Sequence, residues 1–192
     1  VRPLNPYAES KLLLDEFARS FARDQPDVVV VGLRYCNVYG PGEAHKGKRA
    51  SMIFQLAQQM VLGNPRLFQY GEQRRDYLFV GDAVQANLLA ASARESCLVN
   101  CGSGVATSFN DLVAILNEAL GTRRVPEYIE NPYADRYQSH TECDMTLAGS
   151  TIGFLSAVDI RTGIRRYVES GELVASPLRA GQTSAMLRSV SV

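Results

Sequence analysis

Hydrophobic positions in residues 6–23 recur at helical spacing, and Leu13, Leu14, Phe17, Ala18 and Phe21 gather on one side of an amphipathic helix. The pattern then changes. Val28-Val-Val-Val-Gly-Leu-Arg34 is a nearly unbroken apolar, β-branched run, the mark of a strand covered on both faces in a parallel sheet. A Gly/Pro-rich loop follows through Asn37, Gly40-Pro41-Gly42 and Gly47. Residues 51–62 resume helical spacing and stop at Gly63-Asn64-Pro65. Strand-like pieces at 66–70 and 77–80 flank a charged turn, Glu72-Gln-Arg-Arg-Asp76, and Asp82 reads as the N-cap of an Ala-rich helix over 83–93. Cys97–Cys101 is a short buried strand. Thr107-Ser-Phe-Asn-Asp111 opens a helix that runs to Leu120 and stops at Gly121. A strand at 126–130, a loop over 131–143 and short helices at 144–150 and 158–170 complete the pattern. The tail after Gly171 is rich in Ser, Ala and Gly without apolar periodicity and is expected to be loose.

This order predicts an α/β protein: a parallel sheet with at least two strands, and a second lobe of short strands and helices. At 192 residues and 46% hydrophobic, the chain can bury one substantial core, or one core with a smaller lobe. Net charge is zero and no basic block occurs, which argues against nucleic acid or an anionic membrane surface as a partner. No apolar run approaches the roughly 20 residues needed to cross a bilayer. Cys36, Cys97, Cys101 and Cys143 show no C-x-x-C spacing, and the reading is of buried free thiols in a reducing cytoplasm. His45 and His140 are too few and too isolated to indicate a metal.

Candidate chemistry concentrates at Tyr7-Ala-Glu-Ser-Lys11. Positions i and i+4 share a helix face, so a phenol and an ammonium can reach one substrate atom. The ammonium favours the phenolate, which suits the tyrosine to proton transfer near neutrality. With three lysines and nine tyrosines in the chain, chance placement gives only about 0.1 such matches. The alternative is an ordinary surface pair near a helix start. The loop 35–48 leaves the carboxyl end of the 28–34 strand, where ligands sit in open α/β sheets, so it is expected to face the same cleft.

No strand followed by G-x-G-x-x-G and a helix occurs; Gly40-Pro-Gly42 and Gly102-Ser-Gly104 do not complete that fingerprint. With Tyr7 so near the first residue, this suggests the C-terminal part of a longer protein. Tyr7-x-x-x-Lys11, Arg34-Tyr-Cys-Asn-Val-Tyr-Gly-Pro41 and Arg75-Asp-Tyr-Leu-Phe-Val-Gly-Asp82 together resemble the extended short-chain dehydrogenase/reductases that act on nucleotide sugars. The segment Asn37–Gly47, with His45-Lys46-Gly47, and Arg136-Tyr-Gln138 narrow the resemblance to the ADP-heptose 6-epimerases of that family. The resemblance runs from residue 1 to about 170.

It implies a Rossmann-like fold. Residues 1–50 would end the dinucleotide-binding domain, 51–170 would form the substrate lobe with a returning Rossmann strand near 97–101, and 171–192 would be the tail. It also implies epimerisation by transient oxidation with bound NADP, NAD being the other candidate. Tyr7 and Lys46 would be acid/base groups on the two faces of the reacting carbon. Lys11 would act with Tyr7 and hold the nicotinamide ribose, with Val38 and His45 beside the cofactor. Asn37, Phe68, Arg75 and Tyr137 would contact the nucleotide sugar, Arg75 through its planar fork on phosphate oxygens. The expected assembly is a cytoplasmic homo-oligomer. Each residue also has a plainer reading: Lys46 a solvated loop lysine, Asn37 a self-satisfied loop side chain, Arg75 an exposed turn arginine, Phe68 and Tyr137 simple packing. Lys48 and Gln55 depart from the pattern near the sugar, which keeps open another nucleotide-sugar epimerase or dehydratase, or a non-catalytic substrate-lobe fragment.

Overall fold

A computed structural model describes residue 3, residues 5–132 and residues 137–174. The tail beyond 174 and Arg136 lie outside the described residues. Helix α1, Pro6–Asp24, starts where the Asn5 side chain accepts the Ala8 N–H at 2.9 Å and Pro6 supplies a fixed φ. The chain then forms β1 (Val31–Tyr35), β2 (Asn37–Tyr39) and a 3-10 turn, Ala44–Arg49. Helix α2 (Met52–Leu62) is capped by Ser51, and β3 (Arg66–Phe68), β4 (Arg74–Phe79) and α3 (Val80–Ala91) follow. Next come β5 (Cys97–Cys101), β6 (Ala106–Ser108), α4 (Phe109–Leu120) and β7 (Glu127–Ile129), then α5 (Thr146–Ile152) and α6 (Ile160–Glu169). Ser108 and Asp159 cap α4 and α6, and Gly121 ends α4 in the left-handed region at φ 64°.

Three small sheets form among the described residues. β1 pairs in parallel with β5, Leu33 opposite Val99. β2 pairs in parallel with β4, which pairs antiparallel with β6. β3 pairs in parallel with β7. The first sheet packs with α3 and α5 around Leu78, Ala86, Val99, Cys101, Ala148 and Phe154. The larger core joins α2, α4 and α6 around Ile53, Leu56, Leu112, Leu116, Ile164 and Tyr167.

Several expectations are corrected. The 28–34 strand begins only at Val31, and β1 is half-buried or exposed rather than covered on both faces, with Val28 and Val29 exposed. Its apolar character is suited to contacts that the described residues do not supply. The apolar side of α1 is likewise uncovered: Leu13, Leu14, Phe17 and Phe21 are exposed, Phe17 by 66%. The charged turn at 72–76 is in fact mostly strand, because β4 already contains Arg74, Arg75 and Asp76. Asp82 lies inside the first turn of α3 rather than capping it. Its Oδ2 accepts from Ser156 Oγ (2.6 Å) and the Ala157 and Val158 N–H groups (3.1 and 3.0 Å), fixing the approach to α6. The cysteines are not all free, since Cys36 and Cys143 form a disulfide and only Cys97 and Cys101 are thiols. Cys97 is half-buried. Folding brings the two distant positions together at the carboxyl end of β1, which spacing along the chain does not reveal.

Candidate active site

Tyr7, Lys11 and Asp15 form one stripe along α1 at steps of four. The Lys11 ammonium lies 5.2 Å from the Tyr7 ring centroid, and the phenol is largely exposed, at 72%. Asp15 fastens this helix to the end of β1: its Oδ2 accepts from Arg34 Nη2 at 2.6 Å and from Arg34 Nε at 2.8 Å. Between the two elements opens a cleft of about 660 Å³, lined by Tyr7, Lys11, Leu14, Leu33, Arg34 and Tyr35 among others. That volume is in the range of small-molecule sites. The same cleft is lined by apolar Leu12, Leu14 and Leu33 beside the ammonium and the phenol.

A second group of predicted residues converges from three separate segments. Phe68 ends β3, Arg75 lies on β4 and Tyr137 follows β7. Phe68 and Tyr137 meet edge to face at 5.7 Å, and the Arg75 guanidinium carbon lies 5.1 Å from the Tyr137 ring centroid and 6.0 Å from that of Phe109. The rings flank the guanidinium, whose Nη1 also donates to the Arg74 carbonyl at 2.8 Å. The buried Tyr77 phenol belongs to the same neighbourhood and makes no hydrogen bond. Burial pushes its pKa up, against the lowering effect of Arg75.

Residues 35–37 join cleft and cluster. Tyr35 lines the cleft; two residues on, Asn37 stands opposite Tyr77 in register and its Nδ2 donates to the Asp76 carbonyl at 2.8 Å. Val38 is half-buried and packs against the Leu78–Val99 core. His45 and Lys46 are exposed on the 3-10 turn. No hydrogen bond or ion pair among the described residues links Lys46 to Tyr7 or Lys11. The turn is tied at both flanks by buried Glu43, whose carboxylate accepts from Gly40 N–H (3.4 Å), Ser51 N–H (2.6 Å) and Ser51 Oγ (2.8 Å).

The sequence reading missed Asp15 and Asp76. A carboxylate continuing the Tyr7–Lys11 stripe was the available signal for Asp15. Asp76 is fully buried: Oδ1 accepts from Ser103 N–H and Oγ, both 2.7 Å, and Oδ2 from the Gly104 and Cys143 N–H groups at 3.0 and 3.1 Å. It fixes the loop after β5 and the end of the 137–143 segment beneath the Arg75 cluster. A methyl group at Gly102 would come within 2.5 Å of Asp76 Oδ2 and 2.8 Å of Cys143 Cβ. Gly102→Ala is therefore expected to cost about 1–3 kcal/mol as overpacking, measured as a lower urea midpoint at unchanged m.

The profile of the NAD dependent epimerase/dehydratase family matches residues 1–102, and the chain belongs to that family. It is 39% identical over 179 residues to the ADP-L-glycero-D-manno-heptose-6-epimerase of Alkalilimnicola ehrlichii, covering 88% of this chain and 55% of that protein. The crystal structure of the Helicobacter pylori enzyme of the same name superposes with TM-score 0.79 at 39% identity, over 88% of this chain and 52% of that one. UDP-glucose 4-epimerase of Thermotoga maritima, solved with UDP-glucose, reaches TM-score 0.79 at 31% identity, over 88% and 53%. The chain spans about half the length of the relatives it matches. Among the described residues no helix is long and apolar enough to cross a membrane.

Proposed function

We propose that this chain carries the catalytic helix and substrate lobe of a nucleotide-sugar epimerase that interconverts ADP-D-glycero-D-manno-heptose and ADP-L-glycero-D-manno-heptose with bound NADP. The observation that carries the reading is the assembly of Phe68, Arg75 and Tyr137 from three segments into one cation–aromatic cluster. Connected along the chain by residues 35–37 to the Tyr7–Lys11 cleft, it offers a guanidinium suited to a pyrophosphate. The likeness to two proteins named as ADP-heptose epimerases supports the choice of sugar.

In this reading residues 1–50 end the dinucleotide-binding domain and 51–170 bind the sugar nucleotide. Bound NADP supplies the hydride acceptor and donor; the family description supports a nicotinamide cofactor, and the 2′-phosphate is part of the proposal. Tyr7 Oη exchanges a proton with the oxygen on the reacting sugar carbon. The Lys11 ammonium holds the nicotinamide ribose, with Val38 and His45 beside the cofactor. Lys46 serves the opposite face of the carbon, where one phenol on a rigid helix does not reach. Arg75 binds phosphate oxygens bidentately, while Phe68, Tyr137 and Asn37 position the nucleotide sugar. The protein works in the cytoplasm as a homo-oligomer, with the α1 apolar stripe covered in the assembled enzyme. The product is activated heptose for lipopolysaccharide core synthesis.

The protein expressed from its full native reading frame, purified and assayed with ADP-D-glycero-D-manno-heptose, tests this. NADP in the purified protein and interconversion of the two C6 epimers are expected. Arg75→Ala should raise KM at least about tenfold, the loss of one charge-assisted bidentate contact, with a smaller change in kcat. Turnover of UDP-glucose but not of the ADP-heptose would replace this substrate with that of a 4-epimerase.

A further inference from the structure

Cys36 and Cys143 are bonded although 107 residues separate them. Cys36 is the single residue between β1 and β2, and its N–H donates to the Cys101 carbonyl at 2.8 Å. Cys143 lies six residues after Tyr137 on the same non-helical segment. That segment is also held to β4: the Arg74 N–H donates to the Ser139 carbonyl at 2.8 Å, and the Thr141 N–H to the Arg74 carbonyl at 3.1 Å. The sulfur bridge thus ties the carboxyl end of β1, beside Asn37, to the segment whose first ring completes the Arg75 cluster. An Asp76 oxygen lies with the two sulfurs in a group within 4.8 Å. Each oxygen of that carboxylate already accepts two hydrogen bonds, so it is committed to protein donors and the group is a sulfur pair beside a structural carboxylate.

We propose that Cys36 and Cys143 are a reversible thiol–disulfide site, open to low-molecular-weight disulfides and dithiols, whose oxidised form holds Tyr137 and Arg75 in the nucleotide-binding arrangement. The nucleotide part rests on the function proposed above; the thiol chemistry does not. One thiolate attacks the disulfide of oxidised glutathione, forming a mixed disulfide and expelling one glutathione thiolate. The second cysteine then displaces the other glutathione. Two cysteine thiols are oxidised, one glutathione disulfide is reduced to two thiols, and a dithiol reverses the exchange. Both cysteines are half-buried and within reach of small reagents. Cys101 is a poor competitor, since burial pushes its thiol up to about 11 and keeps it protonated.

Reduction leaves the hydrogen bonds to Arg74 and Asp76 in place, so the segment loosens rather than unfolds. A fall of the binding-competent population to between about a third and a tenth raises Kd about three- to tenfold. The protein from its full native reading frame is equilibrated with oxidised glutathione or with dithiothreitol, then alkylated and mapped by mass. Hydrogen exchange over 137–143 and Kd for ADP are measured in both states. Expected are a Cys36–Cys143 cross-linked peptide in the oxidised sample only, slower exchange there, and the tighter Kd. Cys36→Ser should match the reduced wild type under both reagents. Alkylation of both cysteines after oxidised glutathione, or equal exchange in the two states, overturns the proposal. If the bridge closes and exchange slows while ADP binds in neither state, the thiol site stands and the nucleotide assignment falls.

Discussion

Tyr7→Phe is expected to lower kcat for the proposed C6 epimerisation by about 10²–10⁴, the usual worth of a positioned acid/base group, with KM little changed. The substitution is diagnostic because of where the structure puts the residue. Tyr7 is exposed in the first turn of α1, its hydroxyl makes no hydrogen bond among the described residues, and the helix start is set by Asn5 and Pro6 instead. Removing one oxygen therefore leaves the fold and the ring's contact with Lys11 in place, and a loss of rate cannot be assigned to unfolding. Lys46→Met tests the opposite face with the same logic, since Lys46 is exposed and its turn is held by Glu43. Each variant should lose kcat while retaining cofactor and ADP affinity. Steady-state kinetics in both epimer directions measures this. Retention of kcat within about threefold in Tyr7→Phe removes the phenol from the chemistry, and an effect confined to KM makes it a binding group.

Elements with local determinants were legible in the sequence. The limits of α1 and α4 follow from Asn5, Pro6, Ser108 and Gly121, each acting on residues within four positions. The parallel strand after α1 was legible in kind but not in surroundings. Val28-Val-Val-Val records the contacts the segment is suited to make, and composition does not say whether the chain supplies them. Errors concentrate where a charged side chain is buried by distant donors. Asp76 reads as turn because a carboxylate in a strand costs several kcal/mol when unpartnered. Its acceptor sites are filled from Ser103, Gly104 and Cys143, 27 to 67 residues away. Asp82 reads as a helix cap for the same reason, although its donors are at 156–158. The candidate site shows the same division. Tyr7 and Lys11 are one helical turn apart and visible by spacing, whereas the meeting of Phe68, Arg75 and Tyr137 depends on β3 and β7 pairing across 61 residues of sequence.

Asp76→Ala is expected to destabilise the fold by about 3 kcal/mol or more. The substitution leaves the Ser103, Gly104 and Cys143 N–H groups without their acceptor in a buried place, at about 1–3 kcal/mol each. Water entering the small cavity recovers part of that, so the lower end of the sum is the relevant one. For a chain of this size, 3 kcal/mol corresponds to a fall in Tm of about 6–12 °C. Asp76→Asn separates hydrogen bonding from volume. The amide keeps one acceptor oxygen and presents an NH₂ group to two donors, so about half the loss should remain although the shape is conserved. Thermal and urea unfolding of both variants, with the wild type treated identically, provide the measurement. The Gly102→Ala change acts on the same contact from the other side, so the double variant with Asp76→Ala should be less destabilised than the sum of the singles. An Asp76→Ala protein melting within about 2 °C of wild type would show that the 103–104 loop and Cys143 are held by other contacts. The carboxylate under the Arg75 cluster would then have to be explained by something other than stability.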